Sequence, residues 1–323
     1  MIKKEKVLPI RMKKLQALLR RLPPNHLSRQ RIDEELAKSM AGYRGEVSID
    51  YQLATLPKKE SIILHDLRLT QNGTHFFQID ILLMTSRFLL IIEVKNMSGT
   101  LIFDQSFHQL LRTYNGKEEA FPDPLIQVRR QQLFLQRWLE ENQFLKIPVH
   151  SLIVISNPAT ILKSISSFSE TVSKKVIHAA VLPSKIDGLI RSHPNEILTK
   201  RDLNKLSRYL IKHHTSLDPN VLTQFQIPKT DVRSGVHCPS CFALPMQRRN
   251  GTWICTFCHL SSKNAHLSSL EDYKLLISPT ITNKQLREFL HISSTSTATK
   301  LLVKLKLEYT GGNKNRKYYL FLE

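Results

Sequence analysis

The chain has 323 residues, of which 41% are hydrophobic, and this composition excludes a disordered polypeptide and predicts two or three domains with packed cores. Lys and Arg outnumber Asp and Glu by 47 to 27, and the formal net charge of +20 predicts a polyanionic partner, first of all nucleic acid. An anionic membrane is the competing partner, but no apolar run reaches the roughly 18 residues that a membrane span needs, so we expect no membrane partner.

The N-terminus and the cysteines bear on the cellular compartment. Neither an apolar core nor a small-residue cleavage site follows the basic start of the chain, so we expect no secretory signal. All four cysteines fall within residues 238–258, and this clustering indicates metal ligation rather than a disulfide framework. We therefore expect a cytoplasmic protein.

Residues 1–27 are predicted to form a basic N-terminal arm. Eight of the first 22 residues are Lys or Arg and one is acidic, and Pro23-Pro24 would end any helix that forms there. The sequence leaves open whether the arm is a frayed tail or a short helix, and whether it is solvated or contacts nucleic acid.

The most informative stretch lies between residues 76 and 99. Two apolar runs of strand length, separated by a short polar break, predict a β-hairpin within a buried sheet. Asp80 interrupts the first run, and Glu93 and Lys95 interrupt the second. Because side chains alternate along a strand, Glu93 and Lys95 share one face, and the hairpin would bring Asp80 beside them.

These charges inside apolar strands predict a metal-dependent active site, because an unpaired buried charge costs on the order of several kcal/mol. Asp80 and Glu93 can hold a hard divalent cation, Mg²⁺ or Mn²⁺. Lys95 beside them can orient or activate a water molecule and offset charge that develops on a phosphate. The competing interpretation is an ordinary Glu93–Lys95 ion pair on an edge strand, but the wholly apolar run before Glu93 argues against an exposed edge.

Three short motifs stand in a fixed order around these charges: Gly42-Tyr43-Arg44-Gly45-Glu46, then Gln78-Ile79-Asp80, then Ile92-Glu93-Val94-Lys95-Asn96 followed by Ser98-Gly99. Together they resemble the PD-(D/E)xK nuclease superfamily and, more narrowly, the nuclease-related domain (NERD) family, over roughly residues 38–160. The resemblance implies an α/β fold with a restriction-endonuclease-like mixed sheet flanked by helices, which we assign to residues 28–185. It also implies a metal-dependent nuclease in which Glu46, on the first helix, is a further acidic residue. Gln127, at the start of an amphipathic helix, belongs to the motif of the resembled family and would help to orient the site.

Two cysteine pairs follow a predicted helical linker at residues 186–235. Cys238 and Cys241 form one CxxC pair, and Cys255 and Cys258 form another thirteen residues later. Two such pairs on separate turns can close a tetrahedron around one Zn²⁺, with no position left open for substrate. We therefore predict a zinc ribbon at residues 236–262 whose zinc is structural. The candidate phosphate contacts near its hairpin tip are Arg248 and Arg249.

The last segment, residues 272–323, is predicted to contain a helix, a turn, a second helix and a β-hairpin with a basic tip. This order resembles a winged helix-turn-helix, in which one helix lies along a groove of nucleic acid. The competing interpretation is a small α+β module for contact with another protein. The candidate nucleic-acid contacts are Lys300 and Lys304 on the second helix and Lys314, Arg316 and Lys317 in the hairpin.

The preferred function is metal-dependent hydrolysis of nucleic-acid phosphodiester bonds, with DNA, in processing or repair, as the first candidate substrate. One alternative is a non-catalytic nucleic-acid-binding or regulatory protein with a degenerate nuclease fold. Another is a processing factor that acts on RNA, since basic charge and zinc ribbons serve both polymers. The sequence leaves these alternatives open, together with endo- or exonuclease action and the oligomeric state.

Overall fold

The structure is a computed structural model that describes residues 1–56, 61–71, 73–164, 169–312 and 315–320. The chain divides into two compact units, one built from residues 1–8 and 39–217 and the other from residues 9–38 and 218–323. The helices are α1 (Ile10–Arg21), α2 (Arg29–Ser48), α3 (Asp50–Leu53), α4 (Pro124–Glu141), α5 (Ser169–Lys175), α6 (Leu182–Ser192), α7 (Lys200–Lys212), α8 (Val221–Gln224), α9 (His266–Leu276), α10 (Asn283–Leu290) and α11 (Thr295–Lys304). The strands are β1 (Ile2–Lys4), β2 (Ser61–Gln71), β3 (His75–Thr85), β4 (Leu89–Lys95), β5 (Thr100–Asp104), β6 (Gln109–Tyr114), β7 (Lys117–Pro122), β8 (Val149–Ile155), β9 (Ile161–Ser164), β10 (Val176–His178), β11 (Gln247–Arg249), β12 (Thr252–Ile254), β13 (Ser261–Ser262), β14 (Thr280–Thr282), β15 (Tyr309–Thr310) and β16 (Lys317–Tyr319). Within the described ranges, none of the helices combines the length with the apolar composition that a bilayer crossing requires.

The first unit is organised around a six-stranded mixed sheet with the order β1-β2-β3-β4-β8-β10. The strands β2, β3 and β4 are antiparallel neighbours, whereas β8 runs parallel to β4, β10 runs parallel to β8, and β1 runs parallel to β2. A second, four-stranded sheet has the order β7-β6-β5-β9. The predicted α/β fold, with mixed sheets flanked by helices, is confirmed.

Both faces of β3 are covered, which explains its long apolar run. Leu82 belongs to a buried cluster that includes Trp138 of α4. Ile81, one residue earlier and on the opposite face, belongs to a second cluster that includes Ile186 of α6. A charged side chain in the middle of this sheet is therefore enclosed in largely apolar surroundings.

The basic N-terminal segment is packed structure rather than a free arm. Residues 2–4 form β1, which pairs with β2 of the first unit. Residues 10–21 form α1, and its Leu15 and Leu18 lie in the same buried cluster of the second unit as Phe225. Of the two alternatives that the sequence left open, the structure has the short helix, and this helix ends just before Pro23-Pro24. Its apolar residues recur every three or four positions, which is the spacing of a helix with one buried face.

The segment predicted as a helical linker is divided between the two units. Leu203 and Leu206 of α7 belong to the buried cluster that β2 and β3 share with α4. Val221 and Phe225 lie in the core of the second unit. The predicted boundaries at residues 185 and 235 therefore fall inside the units, because segments that are far apart in sequence contribute to each core.

The C-terminal part of the second unit has one hydrophobic core. The four cysteines lie before β11 and between β12 and β13 of the three-stranded sheet β11-β12-β13. A second sheet, with the order β14-β16-β15, accompanies α10 and α11. Trp253 of the first sheet and Leu286 and Leu302 of the two helices belong to the same buried cluster. The helix α10 begins directly after Thr282, where Thr282 and Gln285 form a capping box. Helix, turn, helix and hairpin follow in the order that a winged helix-turn-helix would have, and that interpretation stays a prediction.

A glycine lets α2 approach the sheet of the first unit closely. A Cβ atom added at Gly45 would lie 2.4 Å from the Cβ of Asn96 and 2.8 Å from the Oγ of Ser156. These two residues directly follow β4 and β8. The Nδ2 of Asn96 donates a hydrogen bond to the carbonyl oxygen of Ala41 at 2.7 Å, which ties the helix to the end of β4. Gly45 therefore places its neighbour Glu46 against the ends of these strands.

The substitution Gly45→Ala is expected to lower the free energy of unfolding by about 1–3 kcal/mol, because the added methyl group overlaps two packed strand ends. The matched control is Gly42→Ala on the same helix, since a Cβ at Gly42 meets no atom within 4 Å. That control should be neutral or stabilising by up to about 1 kcal/mol, since alanine has the higher helix propensity. Urea denaturation of both variants gives the comparison, and equal stability would contradict the close approach at Gly45.

Candidate active site and metal centre

Asp80, midway along β3, lies beside Glu93, which is near the end of β4. The ladder of paired residues between these strands runs to the pair Ile81–Ile92, and Asp80 and Glu93 are the next residue on each strand. The Oδ2 of Asp80 accepts a hydrogen bond from the backbone N–H of Val94 at 2.9 Å. The structure thus brings together the two carboxylates that the sequence places on facing strands.

Glu93 is the buried centre of the site, with 3% of its surface exposed. Its Oε1 accepts hydrogen bonds from the Nζ of Lys95 at 2.7 Å and from the Nε2 of Gln127 at 2.7 Å. Its Oε2 accepts a hydrogen bond from the Nε2 of Gln131 at 2.9 Å. Lys95 also donates to the Oε1 of Gln127 at 3.1 Å. One cation and two amides therefore satisfy this buried carboxylate.

The carboxylates of the site oppose one another's ionisation. Burial, followed by the neighbouring charges of Glu93 and Glu46, raises the pKa of Asp80 well above its usual range, although the N–H of Val94 and the charge of Lys95 act in the opposite direction. Burial is also the largest influence that raises the pKa of Glu46, and the charge of Glu93 adds to it. A divalent cation would relieve this repulsion.

Lys6 is a site residue that sequence reasoning missed. Its ammonium group is ion-paired with the Oε2 of Glu46, and 5% of the Lys6 side chain is exposed. Burial opposes the charge of Lys6, but the charge of Glu46, with smaller contributions from Asp66 and Asp80, raises the pKa of Lys6 overall. Lys6 follows β1, which pairs with β2. Nothing in the basic N-terminal sequence distinguishes Lys6 from the lysines around it. Its position in the site depends on the long-range pairing of β1 with β2, which the local sequence does not indicate.

Gln131 is the second residue that sequence reasoning missed. It lies one helical turn after Gln127 on α4, and it is buried. Besides its bond to Glu93, its Nε2 donates to the backbone carbonyl of Gln78 at 2.8 Å. Because residues four apart share a helix face, the spacing from Gln127 was the signal that could have found it.

The donor chemistry of the site fits a hard cation held by two carboxylates rather than by three. Among the described residues, the four cysteines form a group of three or more His, Cys, Asp or Glu side chains that are close enough to share one ion. The three carboxylates of this site do not form such a group. Glu46 is engaged by Lys6. Asp80 and Glu93 are therefore the residues that would hold Mg²⁺ or Mn²⁺, since such ions prefer carboxylate oxygens.

The four cysteines converge in the second unit. Their sulfur atoms all lie within 4.8 Å of one another, and the Sγ–Sγ distance is 3.5 Å for Cys238–Cys258 and for Cys241–Cys255. A tetrahedron with Zn–S bonds of about 2.3 Å has edges of about 3.8 Å, so the spacing fits one zinc ion. Hydrogen bonds from the backbone N–H groups of Cys258 and Phe257 lower the pKa of the Cys255 thiol to about 6, which favours the thiolate that a metal binds. This cluster beside a three-stranded sheet fits the predicted ribbon.

Three of the predicted nucleic-acid contacts lie close together in the second unit. Arg248 of β11 and Lys300 and Lys304 of α11 line the same cleft. Arg249 is the next residue of β11 and is exposed, and side chains of adjacent strand residues point to opposite faces. The two arginines that the sequence treats alike are therefore in different surroundings.

The remaining predicted contacts lie in the C-terminal hairpin. The guanidinium group of Arg316 lies 4.1 Å from the ring centroid of Tyr309, a cation–π arrangement. Lys317 is exposed on β16. Lys314 lies outside the described residues.

Comparison with known proteins bears on the first unit. The family model of the nuclease-related domain matches residues 41–156, a range that contains all five residues predicted for the active site. The chain therefore carries a nuclease-related domain in this range, as the resemblance predicted. No curated protein matches the chain. Among solved structures, the chain is similar to protein VC1899 from Vibrio cholerae, with 12% sequence identity and a TM-score of 0.22, over 53% of this chain and 37% of that one. The chain thus spans little more than a third of the length of that protein.

We expect the metal-free protein to lose stability as the pH rises. The pKa of Asp80 is raised in the folded state, so between about pH 4 and this raised pKa the folded chain holds a proton that the unfolded chain has released. Stability from this group is complete below about pH 4 and is lost as the pH rises through the folded-state pKa. The substitution Asp80→Asn should remove this loss and leave the variant more stable than wild type near neutral pH, as measured by urea denaturation in EDTA.

A matched control for this measurement is Asp187→Asn, because Asp187 is an exposed carboxylate of the same unit. The control should follow the pH profile of the wild type. Added Mg²⁺ should stabilise the wild type and the control but not Asp80→Asn, if Asp80 is a ligand. A wild type with stability independent of pH between about pH 4 and 8 would contradict the raised pKa.

The double substitution Cys238→Ser with Cys241→Ser is expected to abolish zinc binding and to expose the amides of residues 236–262 to hydrogen exchange. Because Trp253 and Leu302 share one core, loss of protection should extend to α11. The thermal transition of the first unit should stay unchanged, which serves as the internal control. Full protection of the ribbon in zinc-free protein would show that the metal does not stabilise it.

Proposed function

We propose that the nuclease-related domain hydrolyses phosphodiester bonds of nucleic acid with a divalent cation, Mg²⁺ or Mn²⁺, held by Asp80 and Glu93. The observation that carries this proposal is the convergence of Asp80, from the middle of β3, with Glu93 and Lys95 near the end of β4, inside the range that matches the family model. The net charge of +20 supports a polyanionic substrate.

Each residue would have a distinct part in the reaction. A divalent cation at Asp80 and Glu93 supplies Lewis-acid polarisation of a phosphate oxygen and a more acidic bound water. The Nζ of Lys95 lies 2.7 Å from the Oε1 of Glu93 and its side chain is 25% exposed, so it would donate to the attacking water or to a phosphate oxygen. Gln127 bonds to both Lys95 and Glu93 and would fix their orientation. Glu46 would assist through its charge.

The second unit would bind the substrate. The cysteine cluster would hold a structural zinc ion, since four thiolates leave no open coordination position. The order of α10, α11 and the C-terminal strands supports a winged helix-turn-helix, and for this reason we take DNA as the first candidate substrate. Cysteines that ligate a metal rather than form disulfides favour a reducing compartment, and we propose the cytoplasm.

A second candidate function is non-catalytic binding of nucleic acid. Both oxygens of Glu93 already accept hydrogen bonds, so the Glu93–Lys95 ion pair can also be understood as a purely structural element of the sheet. On that account Lys95→Ala would leave an uncompensated charge and lower the free energy of unfolding by about 3–5 kcal/mol. RNA as the substrate of an active enzyme is a further outcome that the assay below distinguishes.

The decisive experiment is cleavage of plasmid DNA, linear duplex, single-stranded DNA and RNA in the presence of Mg²⁺ or EDTA. We expect the wild type to cleave at least one substrate only with the metal. Lys95→Ala should lower the rate by about 10²–10⁴-fold while metal binding persists. Asp80→Asn should lose both cleavage and metal binding.

Lys163→Ala is the matched control, because Lys163 is an exposed lysine of β9 in the same unit and should leave cleavage unchanged. Thermal denaturation of every variant shows whether a lost rate reflects lost folding. A well-folded wild type that binds no divalent cation and cuts none of the four substrates would overturn the proposed activity and leave the binding protein.

A further inference from the structure

The second unit contains a cleft of about 530 Å³ between the zinc-ribbon hairpin and α11. We call it the ribbon–helix cleft. The ribbon contributes Arg248, Asn250 and Lys263 to its lining. The helix α11 and the turn before it contribute Ser294, Lys300 and Lys304.

The two walls of the cleft belong to one packed body. Trp253 of β12 lies in the same buried cluster as Ala298, Leu301 and Leu302 of α11. Trp253 and Ala298 have no exposed surface. Because the ribbon and the helix share a core, the backbone positions that carry the cations of the two walls are fixed relative to each other.

Four cations of this cleft lack the acidic partners that other basic residues of the unit have. Arg21 is ion-paired with Asp272 at 2.8 Å, and Lys14 is ion-paired with Asp218. Among the residues that the structure describes, the cleft cations have no ion pair, and the lining of the cleft includes no Asp or Glu. The unpaired cations are Arg248, Lys263, Lys300 and Lys304.

Arg248 provides the strongest indication that the cleft binds an anion. Its Nη1 is shielded from solvent and has no hydrogen-bond partner within the described part of the chain. Its guanidinium group lies 5.0 Å from the ring centroid of Trp253, which holds it in place. A buried donor without a partner is unfavourable, and more so when it belongs to a charged group, so an anionic oxygen at this position would be favourable.

The buried histidine beside the cleft reports the same positive potential. Burial, followed by the charges of Arg248 and Lys304, lowers the pKa of His266 to about 4. The Nδ1 of His266 accepts a hydrogen bond from the indole N–H of Trp253 at 3.2 Å. A charge from the ribbon and a charge from the helix therefore act on the same imidazole ring.

We propose that the ribbon–helix cleft is a composite site for the phosphate backbone of nucleic acid, with Arg248 and Lys263 on one wall and Lys300 and Lys304 on the other. Four cations exceed the charge of a single phosphate, whereas a nucleic-acid strand presents successive phosphates along its length. The hydroxyl group of Ser294 and the amide of Asn250 supply the neutral donors that such contacts commonly use. This inference rests on the proposed function for the choice of nucleic acid, and it makes the ribbon and the helix one binding surface instead of two.

The test uses the full chain with Asp80→Asn, so that binding is measured without cleavage. The affinity of each variant for a fluorescent nucleic-acid duplex and for a fluorescent single strand is measured over a range of salt concentrations. Arg248→Gln and Lys300→Gln should each lower the affinity about 5- to 10-fold at about 0.1 M salt. Each should also reduce by about 1 the steepness with which the logarithm of the affinity falls with the logarithm of the salt concentration, which we call the salt slope. Lys284→Gln is the matched control, since Lys284 is an exposed lysine of α10 that lies outside the cleft.

Zinc content and the thermal transition of each variant show that the second unit is intact. Inorganic phosphate is titrated in parallel, with binding followed by NMR. If Arg248→Gln and Lys300→Gln match Lys284→Gln in affinity and salt slope, the proposal is wrong. If they lose phosphate binding but keep full affinity for both nucleic acids, the cleft binds small anions and the proposal is also wrong. The cleavage assay of the wild type is separate, so failure of the nuclease activity would be recognised independently of this result.

Discussion

The cost of burying the carboxylate of Glu93 governs the layout of the candidate active site. This side chain is 3% exposed in a strand that is otherwise apolar, and such a charge requires a cation and hydrogen-bond donors. Lys95 supplies the cation from the same face of β4, and Gln127 and Gln131 supply the donors from consecutive turns of α4. The position of α4 against β4 is therefore linked to the charge on the strand, and a change in either would leave the other unsatisfied.

Charges are arranged differently in the two units, and the difference is consistent with the proposed division between cleavage in the first unit and binding in the second. In the first unit two of the three acids of the site have internal cations, since Lys6 pairs with Glu46 and Lys95 with Glu93. This pairing limits the repulsion that carboxylates would exert on an approaching polyanion. In the ribbon–helix cleft the cations are without acidic partners among the described residues, as expected for a surface whose counter-charge comes from a ligand.

Features that depend on short-range periodicity could be predicted from the sequence, and features that depend on distant pairing could not. Strand alternation placed Glu93 and Lys95 on one face, and the spacing of the CxxC pairs predicted the cluster of four cysteines. The family resemblance located the domain. Lys6 was missed because its contact with Glu46 requires residues 2–4 to add a strand beside β2. The division into two units was missed for the same reason, since residues 9–38 join a core that is completed more than 200 residues later.

A zinc ion at the four cysteines would be linked to the rest of the second unit through Trp253, and this link would give a structural metal a consequence for binding. Cys255 lies two residues after Trp253, and both are buried in the same cluster as Leu301 and Leu302 of α11. A metal that closes the four thiolates contributes free energy of folding, and a shared core carries that stabilisation to the helix. The position of Arg248 depends on this core, because its guanidinium group packs against the ring of Trp253. The zinc ion would therefore hold one wall of the ribbon–helix cleft without contacting the ligand, as expected for a metal with no open coordination position.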